Sequence, residues 1–182
     1  AGLQDAYLAS SPVVALTGRV AQSGQDRHAY QEVDHNAPFS ANTKYSARVD
    51  STDQLPMFLR QAIREATTGT PGPTHLDLAG LAGGDITKNS ADMEVIIEGQ
   101  FANLPPFRPE PDPGSVNAAL SALASAAKPV IVAGGGVKTS YARKQLIELA
   151  ERLDIPVAPS LNADRKSTRL NSSHLVISYA VF

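Results

Sequence analysis

Between Ala79 and Pro113 the chain carries a stretch that neither a helix nor a sheet can absorb. It is rich in glycine and proline, keeps no hydrophobic period, and includes the run PPFRPEPDPG. Proline fixes φ and lacks a backbone donor, so a segment this dense in it runs extended and unpaired. The chain is therefore expected to fold as separate pieces on either side of a linker. The reading divides it into residues 1–88, a linker over 89–112, a second piece over 113–163, and a tail over 164–182.

Each piece has a pattern of its own. PVVALTGRV, from Pro12 to Val20, is a short apolar run rich in β-branched residues. Such a run predicts a strand buried on both faces of a parallel sheet. The preceding GLQDAYLAS predicts a helix, and Ser23 to Asn42 a polar loop with one short helix. From Asp53, read as the N-cap, the residues Leu55, Phe58, Leu59, Ala62, Ile63 and Ala66 recur at three- and four-residue spacing up to Gly69. That is an amphipathic helix with a glycine stop. The turn Pro71-Gly72-Pro73 then leads into a strand over Thr74–Leu78. Beyond the linker, Val116 to Ala127 predicts a helix and PVIVA (129–133) a buried strand. Gly134, Gly135 and Gly136 follow, then a helix over 140–153 and a strand over 155–158. Strands alternating with helices place both pieces in the α/β class.

Several functions are set aside by composition. The sequence has no cysteine, so disulfides and thiolate metal sites are excluded. A reducing cytoplasm suits it, and a cytoplasmic location is the expectation. Its four histidines include no i,i+4 pair, which argues against a histidine metal centre. His28, His35 and His75 have no partner visible in sequence, so ordinary surface or loop roles are assigned to them. The net charge is −2 with no basic patch, so no nucleic-acid partner is expected. No apolar run reaches membrane-spanning length, and the sequence shows no basic, apolar, small-residue leader.

The tail stands apart. Read back into codons, Asp164–His174 and Ile177–Phe182 can be written as a widely used sequencing adapter, with a short barcode at Leu175–Val176. The basic residues Arg165, Lys166 and Arg169 would then carry no function, and the natural sequence would end near Ala163.

The order of motifs goes further than the pattern. SSPVVALTGRV (10–20), AYQEVDH (29–35), NTKYS (42–46) and QAIREATTGTPGPTHLDL (61–78) occur in that order. KPVIVAGGGV (128–137) and LIELAERLDIPVAPSL (146–161) follow. Together they resemble the thiamine diphosphate-dependent enzymes, in particular acetolactate synthase, glyoxylate carboligase and benzoylformate decarboxylase. The resemblance implies the C-terminal part of a pyrimidine-binding domain, followed by the first half of a Rossmann-like central domain. It also implies thiamine diphosphate and Mg2+ in the parent enzyme, a 2-oxo acid substrate, and a homodimer or homotetramer. The cofactor would supply the electron sink and the protein the orientation.

By the same resemblance, Tyr30 and Gln31 match an aromatic and an amide near the substrate channel at the subunit interface. Whether Gln31 meets substrate or only organises that interface is open. Lys44 matches a family lysine, for which a structural ion pair is the favoured role. Gly134, Gly135, Gly136, Ser160 and Leu161 match positions that line an FAD site. FAD, another nucleotide, or a vestigial tight turn all remain open there, because Thr70 stands where the family's flavin-contacting arginine would be. Leu78-Ala79-Gly80 likewise departs from the family pattern. Glu32 and Asp34 are not assigned the family's catalytic or metal-binding roles, and no catalytic or metal residue is expected in this chain. The chain alone is expected to be inactive. The rival reading is a non-catalytic nucleotide-binding or regulatory α/β module.

Overall fold

The computed structural model describes residues 2–160, so the tail and Leu161 lie outside the described residues. The chain divides into two compact units, the first ending at Phe107 and the second beginning at Arg108. That division falls inside the segment read as a linker.

The first unit opens with α1 (Gly2–Leu8), β1 (Val13–Gly18), a 3-10 turn at Gln22–Gly24 and α2 (Asn36–Ser40). It continues with β2 (Tyr45–Val49), α3 (Leu55–Thr67) and β3 (Pro73–Leu78). A 3-10 turn at Leu81–Gly83, α4 (Gly84–Thr87) and a 3-10 turn at Gly99–Ala102 complete it. The three strands form one sheet in the order β1-β3-β2. Both pairings are parallel, with Leu16 beside Leu76 and Ala47 beside Leu76.

Side chains alternate across a strand, so the sheet has two faces of different character. On one face Val14, Tyr45, Ala47, Val49, Leu76 and Leu78 gather with Leu55, Phe58, Leu59 and Ala62 of α3. Fully burying a side chain such as Leu76 contributes roughly 1.5–3 kcal/mol. The helix pattern foreseen from Leu55 to Ala66 is the one that packs. Its stop is also as foreseen, with Gly69 left-handed at φ +64° directly after the C-cap Thr68. Asp53 is not its cap: it lies in a 3-10 turn ahead of α3, the N-cap is Gln54, and Pro56 sits in the first turn of the helix.

Two strand readings need correction. β3 is buried along its whole length, whereas no residue of β1 is fully buried, with Val13 and Leu16 exposed and the rest half-buried. An apolar run fits either a central or an edge strand, and the strand order makes β1 an edge. β2 was not foreseen, although Tyr45, Ala47 and Val49 alternate with Ser46 and Arg48. The end of β1 meets the turn after β3 so closely that a side chain on Gly18 would lie 2.3 Å from the Gly83 nitrogen. Only glycine fits there.

Part of the supposed linker is held by the first unit. Phe101 is buried, and its ring meets Phe107 edge-on with centroids 5.5 Å apart. Arg64 on α3 grips Glu98 with two hydrogen bonds, the Nε bond at 2.7 Å. The proline-rich composition hid this because the anchors are only two side chains.

The second unit contains α5 (Pro113–Ser125), β4 (Ile131–Ala133), α6 (Gly136–Thr139), α7 (Arg143–Leu153) and β5 (Val157–Pro159). Asp112 caps α5 by accepting from the Ser115 amide at 2.7 Å, with proline at the first position, a common helix start. β4 and β5 pair in parallel as a two-stranded sheet. A small core of Ala133, Ala150 and Val157 is joined by Ile131, Val137 and Leu146. The strand expected to be buried is not, since Val130 and Val132 are both more than half exposed. On the helix expected over 140–153, Ala150 and Leu146 face this core, while Leu149 and Leu153 are exposed.

Candidate functional site

The other face of the three-stranded sheet is polar. The register sets Ala15 and Ser46 beside His75, and Thr17 and Arg48 beside Asp77. His75, assigned a surface or loop role by sequence, is fully buried. Its Nε2 lies 2.8 Å from Thr17 Oγ1 and its Nδ1 2.9 Å from Ser46 Oγ. Thr17 donates its hydroxyl hydrogen to Asp77 Oδ1 at 2.7 Å. His35 Nδ1 reaches the same oxygen at 2.9 Å.

These distances fix the directions. Thr17 has a single hydrogen and spends it on Asp77, so it can only accept from His75 Nε2–H. A neutral His75 then accepts at Nδ1 from Ser46. Burial pushes the His75 imidazole below its ordinary value; Asp77 pulls the other way, and His35 adds to the depression. Phe39 of α2 covers the ring, stacked with centroids 4.0 Å apart.

Arg19, just past β1, is also buried and pairs with Asp50. Its Nε faces Asp77 Oδ2 at 3.8 Å, and neither atom has a hydrogen-bond partner among the described residues. That separation is too long for a hydrogen bond but short for two buried opposite charges.

Hydroxyl, imidazole and carboxylate in one cluster suggest a nucleophilic triad, and the geometry rejects it. Asp77 holds Thr17 and not His75, so it does not orient the base. The imidazole has no exposed surface and lies beneath Phe39. What this arrangement does is fasten the segment between β1 and β2 onto the sheet.

The residues singled out by sequence fall elsewhere. Tyr30 is 84% exposed, and Gln31 is exposed with a left-handed backbone, φ +62°. Beside them Glu32 accepts from the amides of Asp26 and Ala29, which hold its carboxyl below the usual range. Asp34 pairs with Arg48 at 2.6 Å. Glu32 and Asp34 thus organise the loop. A cavity of about 300 Å³ lies here, lined by Arg19, Gln25, Asp26, Glu32, Asp34 and Arg48 among others.

Lys44 sits at the opposite, amino-terminal end of the strands, where its amide bonds Pro73 O. Among the described residues it forms no ion pair. Its ammonium donates to the carbonyls of Glu65 and Thr68 instead, closing the C-terminus of α3. A side chain on Gly72 would come within 2.9 Å of the Lys44 stem. The structure therefore does not bring Lys44 together with Tyr30 and Gln31.

In the second unit, Gly134, Gly135 and Gly136 form the turn from β4 into α6. The Ser160 amide bonds Ala133 O at 2.9 Å, so the ends of β4 and β5 meet at this turn. Leu161 lies outside the described residues. Alongside, a cavity of about 550 Å³ is lined by Val137, Lys138, Tyr141, Arg143, Lys144 and Ile147. Among the described residues no three His, Asp or Glu side chains converge as metal ligands.

The sequence reading missed Thr17, Arg19, His35 and Asp77 along with His75. One signal was available: His75 and Asp77 alternate with Leu76 and Leu78, which marks a strand with one polar face.

Comparison with known proteins gives this geometry a family. Residues 116–176 match the model described as "Thiamine pyrophosphate enzyme, central domain". The "Probable acetolactate synthase large subunit" of Methanocaldococcus jannaschii is 36% identical over 88% of this chain and 27% of its own length. The "Acetolactate synthase isozyme 3 large subunit" of Escherichia coli K12 is 34% identical over the same shares. The "Acetolactate synthase" of Arthrospira platensis is 33% identical, again over 88% of this chain and 27% of its own. The chain thus spans about a quarter of the length of the curated relatives it matches. With parallel α/β units and a match running through both, the chain belongs to the thiamine diphosphate-dependent enzyme family.

Proposed function

We propose that this chain is part of an acetolactate synthase-like enzyme that decarboxylates a 2-oxo acid and transfers the remaining acyl unit to an acceptor. The enzyme would need thiamine diphosphate and Mg2+ and act as a cytoplasmic homodimer or homotetramer. One observation carries the reading: the likeness to acetolactate synthase large subunits extends over 88% of the chain and so through both units. The described residues present no converging set of metal ligands, so they do not fit the diphosphate–magnesium centre, and no step is derived through it. Their part is to build the scaffold, with Tyr30 and Gln31 displayed on an exposed loop beside the carboxyl ends of β1 and β2. In open α/β sheets that end is where ligands bind.

The glycine turn at 134–136 supports a nucleotide such as FAD at the carboxyl end of β4. Among the described residues a side chain at Gly134 or Gly136 would meet nothing within 4 Å, and neither has a left-handed backbone. The described packing and conformation therefore do not ask for glycine there, which supports the close approach of a ligand or of further polypeptide.

The full-length gene product tests the proposal. Formation of acetolactate from pyruvate that requires both thiamine diphosphate and Mg2+ supports it. A full-length protein that binds nucleotide yet releases no carbon dioxide from pyruvate, glyoxylate or benzoylformate would establish the non-catalytic module instead. The 182-residue chain by itself should show no thiamine diphosphate binding in calorimetry, and micromolar binding with Mg2+ would overturn that expectation.

A further inference from the structure

We propose that the buried His75 network is an acid-sensitive fastening, and that protonating its imidazole releases the segment at residues 20–43 from the polar face of the sheet. This stands on the geometry of the first unit alone and holds whatever the parent enzyme catalyses.

The segment runs from β1 to β2 and meets the sheet at three anchors. Phe39 lies flat on His75, His35 bonds Asp77, and Asp34 pairs with Arg48. Two of these converge on the hydrogen-bonded chain Ser46–His75–Thr17–Asp77. Ahead of the anchors, between β1 and Asp34, three residues other than glycine (Asp26, His28 and Gln31) hold left-handed backbones. Such conformations cost energy unless the surroundings impose them, so the segment depends on its anchors.

The chain of donors runs in one direction and has room for one proton fewer than an imidazolium brings. A second ring proton, on Nδ1, would point at Ser46 Oγ, which is already donating there. Ser46 must then rotate and accept where it had donated, which leaves its own hydrogen without this acceptor. The titratable groups facing His75 are Asp77 from β3, reached only through Thr17, and His35 from the segment itself. Beyond them are Arg19 at the end of β1, its partner Asp50 past β2, and the Arg48–Asp34 pair. Asp77 favours the cation, but burial opposes it more strongly. Releasing the segment uncovers the imidazole and lifts that opposition. The α3 face of the sheet has no such dependence, since its core is made of Val49, Ala62, Leu76, Leu78 and their apolar neighbours.

The sign follows from linkage. The folded imidazole titrates below its ordinary value of 6.5, so the fastening is complete above that value and is lost as pH falls toward the folded one. Within that window the released form carries one more proton, and the release equilibrium rises by up to about tenfold per pH unit.

Hydrogen exchange on the full 182-residue chain, from about pH 7.5 to about pH 5 across the histidine range, reads this directly. Amides of the α3 face serve as the internal reference. The expected result is a release constant for residues 20–43 that climbs severalfold or more per pH unit in the natural chain. His35→Asn, which keeps a donor near the Nδ1 position, should climb equally. His75→Gln, which keeps a donor toward Thr17 but cannot titrate, should stay flat. The same slope in His75→Gln, or α3-face amides opening in step with the segment, would overturn the proposal. If His75→Gln does not fold, nitrogen NMR of the natural chain decides. His75 should be neutral at pH 7 with its proton on Nε2, and that signal should vanish over the pH range in which the segment opens. An imidazolium at pH 7, or the proton on Nδ1, overturns it.

Discussion

The two units start from the same material and end with different interiors. Each is parallel strand and amphipathic helix, and each has a short apolar strand run bounded by glycine. In the first, β3 lies between two strands, beneath α3 on one face and the Phe39–His35 cover on the other, and every one of its residues is buried. In the second, β4 and β5 have only each other among the described residues, and Val130 and Val132 look outward. A parallel strand reaches burial through four neighbours: a strand on each side and a layer on each face. Apolar composition makes that burial favourable but does not supply the neighbours.

The contrast can be broken or sharpened by mutation, and the largest effect is expected at the polar face of the first unit. Asp77→Ala leaves Arg19 buried beside an empty position and removes the acceptor of both Thr17 and His35. Losing one partner of a buried charged pair costs about 3–5 kcal/mol, which a urea titration of the chain would register in the first unit. A loss under about 1 kcal/mol, the level of an exposed pair, would mean that the Arg19–Asp77 contact is held by water and not by the fold.

Next is a matched pair of leucines. Leu76→Ala empties the centre of the first core and should cost about 2–5 kcal/mol, whereas Leu120→Ala on the exposed face of α5 should stay within about 0.5 kcal/mol. Equal costs in the same titration would show that α5 is covered in solution and that the units differ less than described.

A smaller loss is expected for Lys44→Met, which keeps the stem against Gly72 but removes the ammonium from the end of α3. About 0.3–1 kcal/mol is the usual scale for a cation at a helix C-terminus. The loss should shrink in high salt, and faster hydrogen exchange of the last-turn amides of α3 would assign it to the carbonyl contacts at Glu65 and Thr68.

The smallest effect belongs to the start of the second unit. The Ser115 amide holds the Asp112 carboxyl below its usual range. Its contribution is therefore present above the ordinary carboxylate value and fades as pH falls through the lower folded one. Circular dichroism should show α5 fraying at acid pH, and Asp112→Asn should lose most of that dependence.

Much of the fold could be read from local spacing. The apolar positions of α3 and its glycine stop are visible within one helix length, as is the glycine turn after PVIVA. β2 was legible too, as the alternation Tyr45-Ser46-Ala47-Arg48-Val49, but it is short and half polar. The candidate site was legible only as isolated letters. His75 takes its partners from Thr17, 58 positions away, and from Ser46, 29 positions away. No pattern within a window of either residue reveals that meeting.

The sequence by itself determined the α/β class, the sites of the main helices, and the family that the ordered motifs resemble, because periodicity and turn chemistry act between residues a few positions apart. Only the tertiary structure decided that β1 is an edge and β3 the centre, that Lys44 closes a helix, and that His75 is a buried link between strands. Strand order and cross-strand hydrogen bonds join residues separated by tens of positions, and hydrophobicity, which has no direction, leaves the choice among such pairings to the packed chain.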